Sequence, residues 1–489
     1  MLRLGWAGAA FAVPALLLST VALPYFYGDA AKWVVLYASV GLTSLLPVKL
    51  DRIDLAALAV VAWACVSLAW SPDPAWGGVH ALNMLVGAAL FIGLRRYDGP
   101  VTVGVALAVA GTLLMTSVLQ FGSFGNENFI TEFLLIAAPY LVLWRRLWPL
   151  LGVTVFYLVF INDSSLELVA LAAVGAWFIW SRWGWKAALA ASAALAVAAF
   201  AIYDQGFLRD SIGYRLSFWA NTGVMWATAP LFGHGLGSFN YLYPDYAQAT
   251  DFGIAAASNA HEYVGAAHNE FLQFMAEMGV VGVGLALVFL KGTVRRPDSP
   301  LQSTALVSLL IAAALAMVEF PLQNPATLAL IALGLAQLSP TVHYRPLRPI
   351  KWAFVTLSIV AVAAGVFMSV GQWHFARAAA AETPRQALVE MVHSYNAFPA
   401  DIQSRLMLFR LLARVQAIEQ VPVNTDLAEG LYAISRSAIP GMPQLLIDRV
   451  GYLVRVGRCE EECGQILERL TRVSGDVVQV REIQQEIEG

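Results

Sequence analysis

The sequence predicts an all-α polytopic membrane protein with a soluble helical tail. Three observations carry this reading. Apolar residues make up 59% of the 489-residue chain, at a mean hydropathy of +0.65. Charged residues make up only 13%, against roughly 25% in soluble proteins. The apolar residues fall into a series of stretches, each close to the ~20 residues that one helical crossing needs. Three cysteines exclude a disulfide-rich scaffold, and a net charge of −3 offers no basic surface for nucleic acid.

The stretches lie near 5–25, 31–47, 55–70, 77–94, 100–120, 128–144, 147–161, 166–181, 186–203, 268–290, 301–319, 322–339 and 351–372. This gives about 12–13 spans, the first resembling a signal peptide in its length and in Arg3 ahead of it. It is read as a span because it lacks a small-residue cleavage site. With the N-terminus in the cytoplasm, the cytoplasmic loops hold Lys49, Arg52, Arg95, Arg96, Arg145, Arg146, Arg182, Lys186, Lys291, Arg295, Arg296, Arg345, Arg348 and Lys351. The short segments on the other side hold only Lys32. Such alternation follows the positive-inside rule, and an error of one span would destroy it.

Two segments fall outside this pattern. Residues 204–267 form a long loop on the outer side between the ninth and tenth spans, within a transmembrane domain of residues 1–374. Residues 375–489 form a tail of amphipathic helices on the outer side, among them Ile402 to Val415 and Gln444 to Val456. Pro384, Pro399, Pro422, Pro440 and Pro443 punctuate it into helix pairs, a degenerate tetratricopeptide-like stack without a strict period. Cys459 and Cys463, four apart in one expected helix, are read as two free thiols, and Cys65 as a packing residue inside a span.

The candidate chemistry gathers in and around the loop. His268, in "HNEFLQFMAEMG", is placed on the first turn of the tenth span, sharing a face with residues 272, 275 and 279. An imidazole can accept a proton near neutral pH. Asn269 and Glu270 beside it are assigned to substrate binding. Arg215 and Arg209 are the only Lys or Arg residues of the loop, and a guanidinium fork suits a diphosphate. "GHGLGSF" supplies His234, Gly235 and Gly237, a glycine spacing that could present N–H groups to an anion. Asn126, Asn128, Glu132, Asn162, Asp163, Glu167, Glu319 and Asn324 sit at span ends on the same side as His268. Polar groups at such depth face a cavity or a partner. No spacing suggests a metal site. Taken singly, each feature also has a structural reading: an interface cap for His268, lipid headgroups for Arg215, a tight turn for the glycines.

Several ordered pieces resemble the O-antigen ligase and polymerase superfamily: "SPDPAW" at 71–76, "GSFGNENFITEFLLIAAPYL" at 122–141, "YRLSFW" and "PLFGHGLGSF" in the loop, "HNEFLQFMAEMGVVG" at 268, and "EFPLQNP" at 319–325. The resemblance covers about residues 50–340. It implies a GT-C-like fold in the bacterial inner membrane. It also implies an inverting glycosyltransferase, metal-independent and without a cofactor, that takes a glycan from a polyprenyl-diphosphate (undecaprenyl-type) donor. Acceptors in the superfamily are the lipid A–core of lipopolysaccharide, a growing polysaccharide, or a protein hydroxyl. The resemblance assigns the family's essential histidine to His268 and a loop arginine to Arg215. Many members carry a Ser-Arg pair where this chain reads "NDSSLELV", with Leu166 at the arginine position, and Arg209 is the candidate to replace it.

A polysaccharide-lipid transporter is the main alternative from another class. Against it, hydropathy shows no internal repeat, and transport sites usually lie near the membrane midplane. The tail lacks a convergent set of His, Arg and carboxylate, and is read as tuning acceptor choice and recruiting partner proteins. The topology makes a direct prediction: a C-terminal alkaline phosphatase fusion will be active. An inactive fusion, with an active cytoplasmic reporter at the same point, would overturn the span count.

Overall fold

The computed structural model describes residues 13–18, 20, 29–43, 50–97, 101–118, 126–161, 183–184, 186, 190, 207–247, 264–340, 348–419 and 424–474. Among the described residues the secondary structure is helical, with no strand. The helices are α1 (Asp29–Thr43), α2 (Arg52–Ser67), α3 (Pro74–Leu94), α4 (Val101–Thr116), α5 (Glu127–Val142), α6 (Trp148–Phe160), α7 (Phe207–Thr228), α8 (Phe239–Tyr246) and α9 (Glu270–Thr293). They continue with α10 (Pro300–Leu315), α11 (Pro325–Leu338), α12 (Arg348–Ala379), α13 (Pro384–Ala397), α14 (Ile402–Glu419), α15 (Thr425–Ala438), α16 (Pro443–Arg455) and α17 (Glu460–Ser474). The expected stretches from 31–47 to 147–161, and from 268–290 to 351–372, coincide with α1–α6 and α9–α12. Those at 166–181 and 186–203 lie outside the described residues, save isolated positions, and that at 5–25 is described only over 13–18 and at 20. Among the described residues, three helices are long and apolar enough to cross a membrane: Pro74–Leu94, Glu270–Thr293 and Lys351–Ala379. Four more, Ala30–Leu42, Val101–Thr116, Pro300–Leu315 and Pro325–Leu338, are apolar but shorter.

The chain forms two compact units that interleave along the sequence. The first takes residues 1–62, 82–202 and 284–369. In it α5 packs against α4, α6, α10 and α11, and α11 also packs on α1. Buried small and branched residues line these contacts, including Ile130, Leu134, Ile136, Ala305 and Leu333. One cluster of its charged groups is paired internally. Arg95 pairs with Asp51 at 2.8 Å and with Asp54 at 2.5 Å, and donates to Ser339 Oγ at 2.7 Å. Arg96 closes on Asp54 from the other side. Burial raises the Asp51 carboxyl, but hydrogen bonds from Arg95 and from backbone N–H groups outweigh it and bring its pKa down to about 2. Lys32 is buried, its Nζ donating to the carbonyl of Leu18 at 2.5 Å.

The second unit takes residues 63–81, 203–283 and 370–489, with one apolar cluster in the tail and another around Met225, Phe239 and Tyr243. Helices α13 to α17 pack each on the next, and α14 also meets α16. Phe409, Leu408, Tyr452, Leu453, Ala428 and Leu470 are fully buried among them. Two of the prolines start helices: Pro384 and Pro443 stand at first helical positions, where a missing N–H costs nothing, while Pro399 and Pro440 lie between helices. Pro422 lies outside the described residues. Two ion pairs fasten the tail inside its unit. Arg405, from α14, pairs with Asp73 ahead of α3 and donates to the carbonyls of Ser437 and Ala400, both at 3.1 Å. Arg469, from α17, reaches Asp245 of α8 at 2.6 Å.

Two cysteine expectations are corrected here. Cys459 and Cys463 are joined in a disulfide with Cα atoms 5.1 Å apart. Helix α17 begins only at Glu460, so Cys459 is free of helical backbone and can turn its sulfur toward Cys463. Cys65 is exposed on α2 rather than packed.

Candidate active site

The site is built where α9 breaks. Gly279 adopts φ 64° and ψ −175° inside this helix, so two helical segments meet at that residue. A break of this kind strands backbone groups that must find other partners. The segment 230–235 supplies them. The carbonyl of Ala276 accepts from the N–H of His234 at 3.0 Å, and that of Glu277 from Gly235 at 2.9 Å. Beyond the break, the N–H groups of Val280 and Val281 donate to the carbonyls of Pro230 and Leu231 at 2.9 and 3.2 Å. The Met278 carbonyl accepts from Trp63 Nε1 at 3.0 Å. The "PLFGHG" segment thus replaces two interrupted helical turns of hydrogen bonding. Glycine is required at 279, because a Cβ there would lie 2.3 Å from the Leu231 carbonyl oxygen.

Glu277 completes the joint. Its buried carboxyl group accepts from the N–H of Gly237 at 3.1 Å and of Phe239 at 3.2 Å. Gln273 adds a longer contact at 3.5 Å. Gly237 stands at φ 75° with its Cα against Gly77, where a side chain would meet backbone at 2.6 Å. The next N–H, of Leu236, goes to Ser67 Oγ at 3.0 Å, and the Leu236 carbonyl accepts from Ser71 Oγ at 2.9 Å. The N–H groups that the glycine spacing offers are therefore taken up by a carboxyl group, a carbonyl and a hydroxyl of the chain itself. His234 is held likewise: its Nε2 lies 2.9 Å from the Met225 carbonyl and 3.0 Å from Thr228 Oγ1.

His268 does not lie on the first turn of a helix. Asn269 is the capping residue, its Oδ1 accepting from the N–H of Leu272 at 3.0 Å, and α9 starts at Glu270. His268 precedes the cap at φ 47°, in the left-handed region, the one non-glycine residue there among the described residues. A face shared by 268, 272, 275 and 279 is accordingly lost at both ends. Helix α7 fixes His268 instead. Trp219 Nε1 donates to the His268 carbonyl at 3.1 Å, and the Phe218 ring stacks on the imidazole at 5.8 Å and 17°. On the other side, the N–H of Ala267 donates to Gln273 Oε1 at 3.0 Å. Arg215 is half-buried, one helical turn before Phe218 and Trp219, hence on the face of α7 that meets His268. Tyr243 closes this group from α8. It meets Phe218 at 5.9 Å and accepts from Asn221 at 3.2 Å, and burial pushes its phenol upward against that hydrogen bond.

The remaining expected residues are distributed as follows. Arg209 belongs to the first turn of α7, and its side chain lies outside the described set, as do Leu166, Asn162, Asp163 and Glu167. Glu270 is buried at the start of α9. Asn126 and Asn128 belong to the first unit. There Asn126 caps α5 through the N–H of Asn128 at 2.8 Å, and Asn128 Nδ2 lies 3.4 Å from Glu319. Sequence reasoning missed Glu277, Phe218, Trp219 and Gly279. Glu277 was legible as an ionisable group within an apolar stretch, and the two aromatics as one-turn neighbours of Arg215.

An all-helical protein with membrane-length apolar helices, a broken helix and a histidine beside an arginine-bearing helix is the class that these features define. Residues 150–287 match the O-antigen ligase family, a span that runs from α6 through α7, the glycine segment and His268 into α9. The match supports the O-antigen ligase superfamily, whose members are glycosyltransferase-like membrane enzymes. No curated protein matches the chain.

The joint makes a graded prediction. Gly279→Ala forces a strained φ and a backbone clash, and will cost at least about 1–3 kcal/mol of stability. Glu277→Leu strands two buried N–H groups, at about 1–3 kcal/mol each, whereas Glu277→Gln keeps an acceptor and loses less. Thermal unfolding in detergent should rank the variants Gln above Leu; equal stability of Leu and wild type would show that the carboxyl group holds nothing.

Proposed function

We propose that this chain is an O-antigen ligase-like glycosyltransferase of the bacterial inner membrane, moving a glycan from a polyprenyl-diphosphate donor to an acceptor hydroxyl on the periplasmic side. The observation that carries the reading is the seating of His268 against α7, one helical turn from Arg215, within the segment matched to the O-antigen ligase family. The lipid A–core is the leading acceptor. A growing polysaccharide chain or a protein hydroxyl presents the same nucleophile. The N-terminus is cytoplasmic and the tail periplasmic.

In this mechanism Arg215 holds the donor diphosphate and offsets the charge that develops as it departs. His268 accepts the proton of the acceptor hydroxyl. The acceptor oxygen bonds to the anomeric carbon, the bond from that carbon to the phosphate oxygen breaks, and polyprenyl diphosphate leaves with the electron pair. One displacement inverts the anomeric centre. The left-handed backbone at His268 and its aromatic stack fix the imidazole before substrate arrives, which is what general-base positioning requires. Asn269 and Glu270, next along the chain, and Arg209 on α7 are assigned to substrate binding. His234, Gly235 and Gly237 support the site by splicing α9. The break in α9 does not favour transport, because the interrupted hydrogen bonds are satisfied by residues 230–235 rather than left for a solute.

Two substitutions separate the roles. Arg215→Lys keeps the charge but loses the fork; a charged hydrogen bond is worth roughly 1.5–3 kcal/mol, so transfer will fall about tenfold to a hundredfold, with weaker donor binding. His268→Ala removes the base and will lower the rate by about 10²–10⁴ while donor lipid still co-purifies. Normal transfer by His268→Ala, or loss of donor binding in it, would overturn the assignment.

A further inference from the structure

A cleft of about 470 Å³ opens in the second unit, lined by Tyr241 of α8 and by Glu429, Tyr432, Arg436, Arg449 and Glu462 of the tail helices. This volume lies in the range of small-molecule sites, about 300–1,000 Å³. Its polar groups are held in place. Arg449 bonds Glu462 at 2.8 and 3.1 Å and Glu429 at 3.0 Å, and its guanidinium lies 4.2 Å from the centre of the Tyr432 ring. Two carboxylates and two guanidinium groups balance each other, so the lining does not favour a polyanion such as a free diphosphate. Aliphatic lining is confined to Ala433 and Pro440, too little for a lipid tail. Aromatic faces combined with donors and acceptors of both charges suit a ligand with apolar C–H faces and many hydroxyl groups.

The cleft is also tied to the candidate site through one short helix. Tyr241 stands two residues before Tyr243, which meets Phe218, which stacks on His268. We infer that the cleft is an oligosaccharide subsite, holding sugar units of a glycan whose end is being joined at His268. The inference rests on the function proposed above and gives the tail a part in it: recognition of the glycan rather than chemistry. The sugar units come either from the donor or from the acceptor, and the chemistry of the cleft is the same for both.

The test is binding to the full-length protein in detergent, followed by titration and saturation-transfer NMR. The probes are glycan released by mild acid from the host's polyprenyl-linked pool, glycan released from its lipopolysaccharide core, and inorganic pyrophosphate. Ala433→Trp fills the cleft from an exposed helix position, and Arg436→Ala removes an exposed donor. Wild type should bind one of the two glycans, the first marking a donor subsite and the second an acceptor subsite. Both variants should weaken that binding, Ala433→Trp by roughly tenfold or more, with unfolding temperatures unchanged. Binding of neither glycan, unaltered binding in both variants, or displacement of the glycan by pyrophosphate would overturn the subsite. Glycan binding that depends on the cleft in a protein without transfer activity would overturn the proposed function and leave the subsite standing. Normal transfer with no effect of either variant on binding would do the reverse.

Discussion

The break in α9 is the constraint on which the second unit depends. A helix interrupted at one residue leaves carbonyls before the break and N–H groups after it without their usual partners, and burying them unpaired is costly. Residues 230–235 pair with the carbonyls of Ala276 and Glu277 and the N–H groups of Val280 and Val281, and Trp63 takes the Met278 carbonyl. Glu277, two residues before Gly279, then binds the N–H groups of Gly237 and Phe239 through its side chain. The order of events along the chain follows from this. The glycine segment must turn tightly enough to reach α9, α8 must start where Phe239 donates to Glu277, and α7 must end where His234 meets Met225. His268 sits between elements already fixed by that joint.

Much of the fold was legible because burial in lipid leaves a coarse and redundant signal. The apolar stretches from 31–47 onward foretold α1 to α6 and α9 to α12, since each needs many apolar residues in a row. The tail helices were legible from amphipathic period and proline punctuation. What escaped was decided by single residues in three-dimensional context. Gly279 reads as a tolerated glycine in a long apolar helix until the segment 230–235 is seen to replace its hydrogen bonds. Cys459 reads as helical until α17 is seen to start one residue later. Asn269, not His268, holds the start of α9, because an asparagine side chain can serve as the cap while an imidazole was assigned that place only by proximity.

The glycine segment shows how a correct local reading can lead to a different role. Its spacing does permit left-handed backbone, at Gly233, Gly235 and Gly237 alike. The N–H groups of Gly237 and Phe239 meet the Glu277 carboxyl group and those of Gly235 and Leu236 a carbonyl and a hydroxyl, so the segment binds α9. The same holds for "SPDPAW". Ser71 anchors Leu236, and Asp73 pairs with Arg405 of the tail, so the motif fastens the glycine segment and the tail within one unit. The proposed chemistry then falls to few residues, with Arg215 on α7 and His268 ahead of α9, and the aromatic pair Phe218 and Trp219 between them.

The central claim is a single displacement at the anomeric carbon, assisted by one imidazole and one guanidinium. The most direct measurement is NMR of the linkage formed when purified protein in liposomes is given a polyprenyl-diphosphate glycan of known anomeric configuration and a lipid A–core acceptor. The account predicts a new glycosidic bond of inverted configuration, formed in step with release of polyprenyl diphosphate. Retention of configuration, or a covalent glycosyl-protein trapped during turnover, would contradict it.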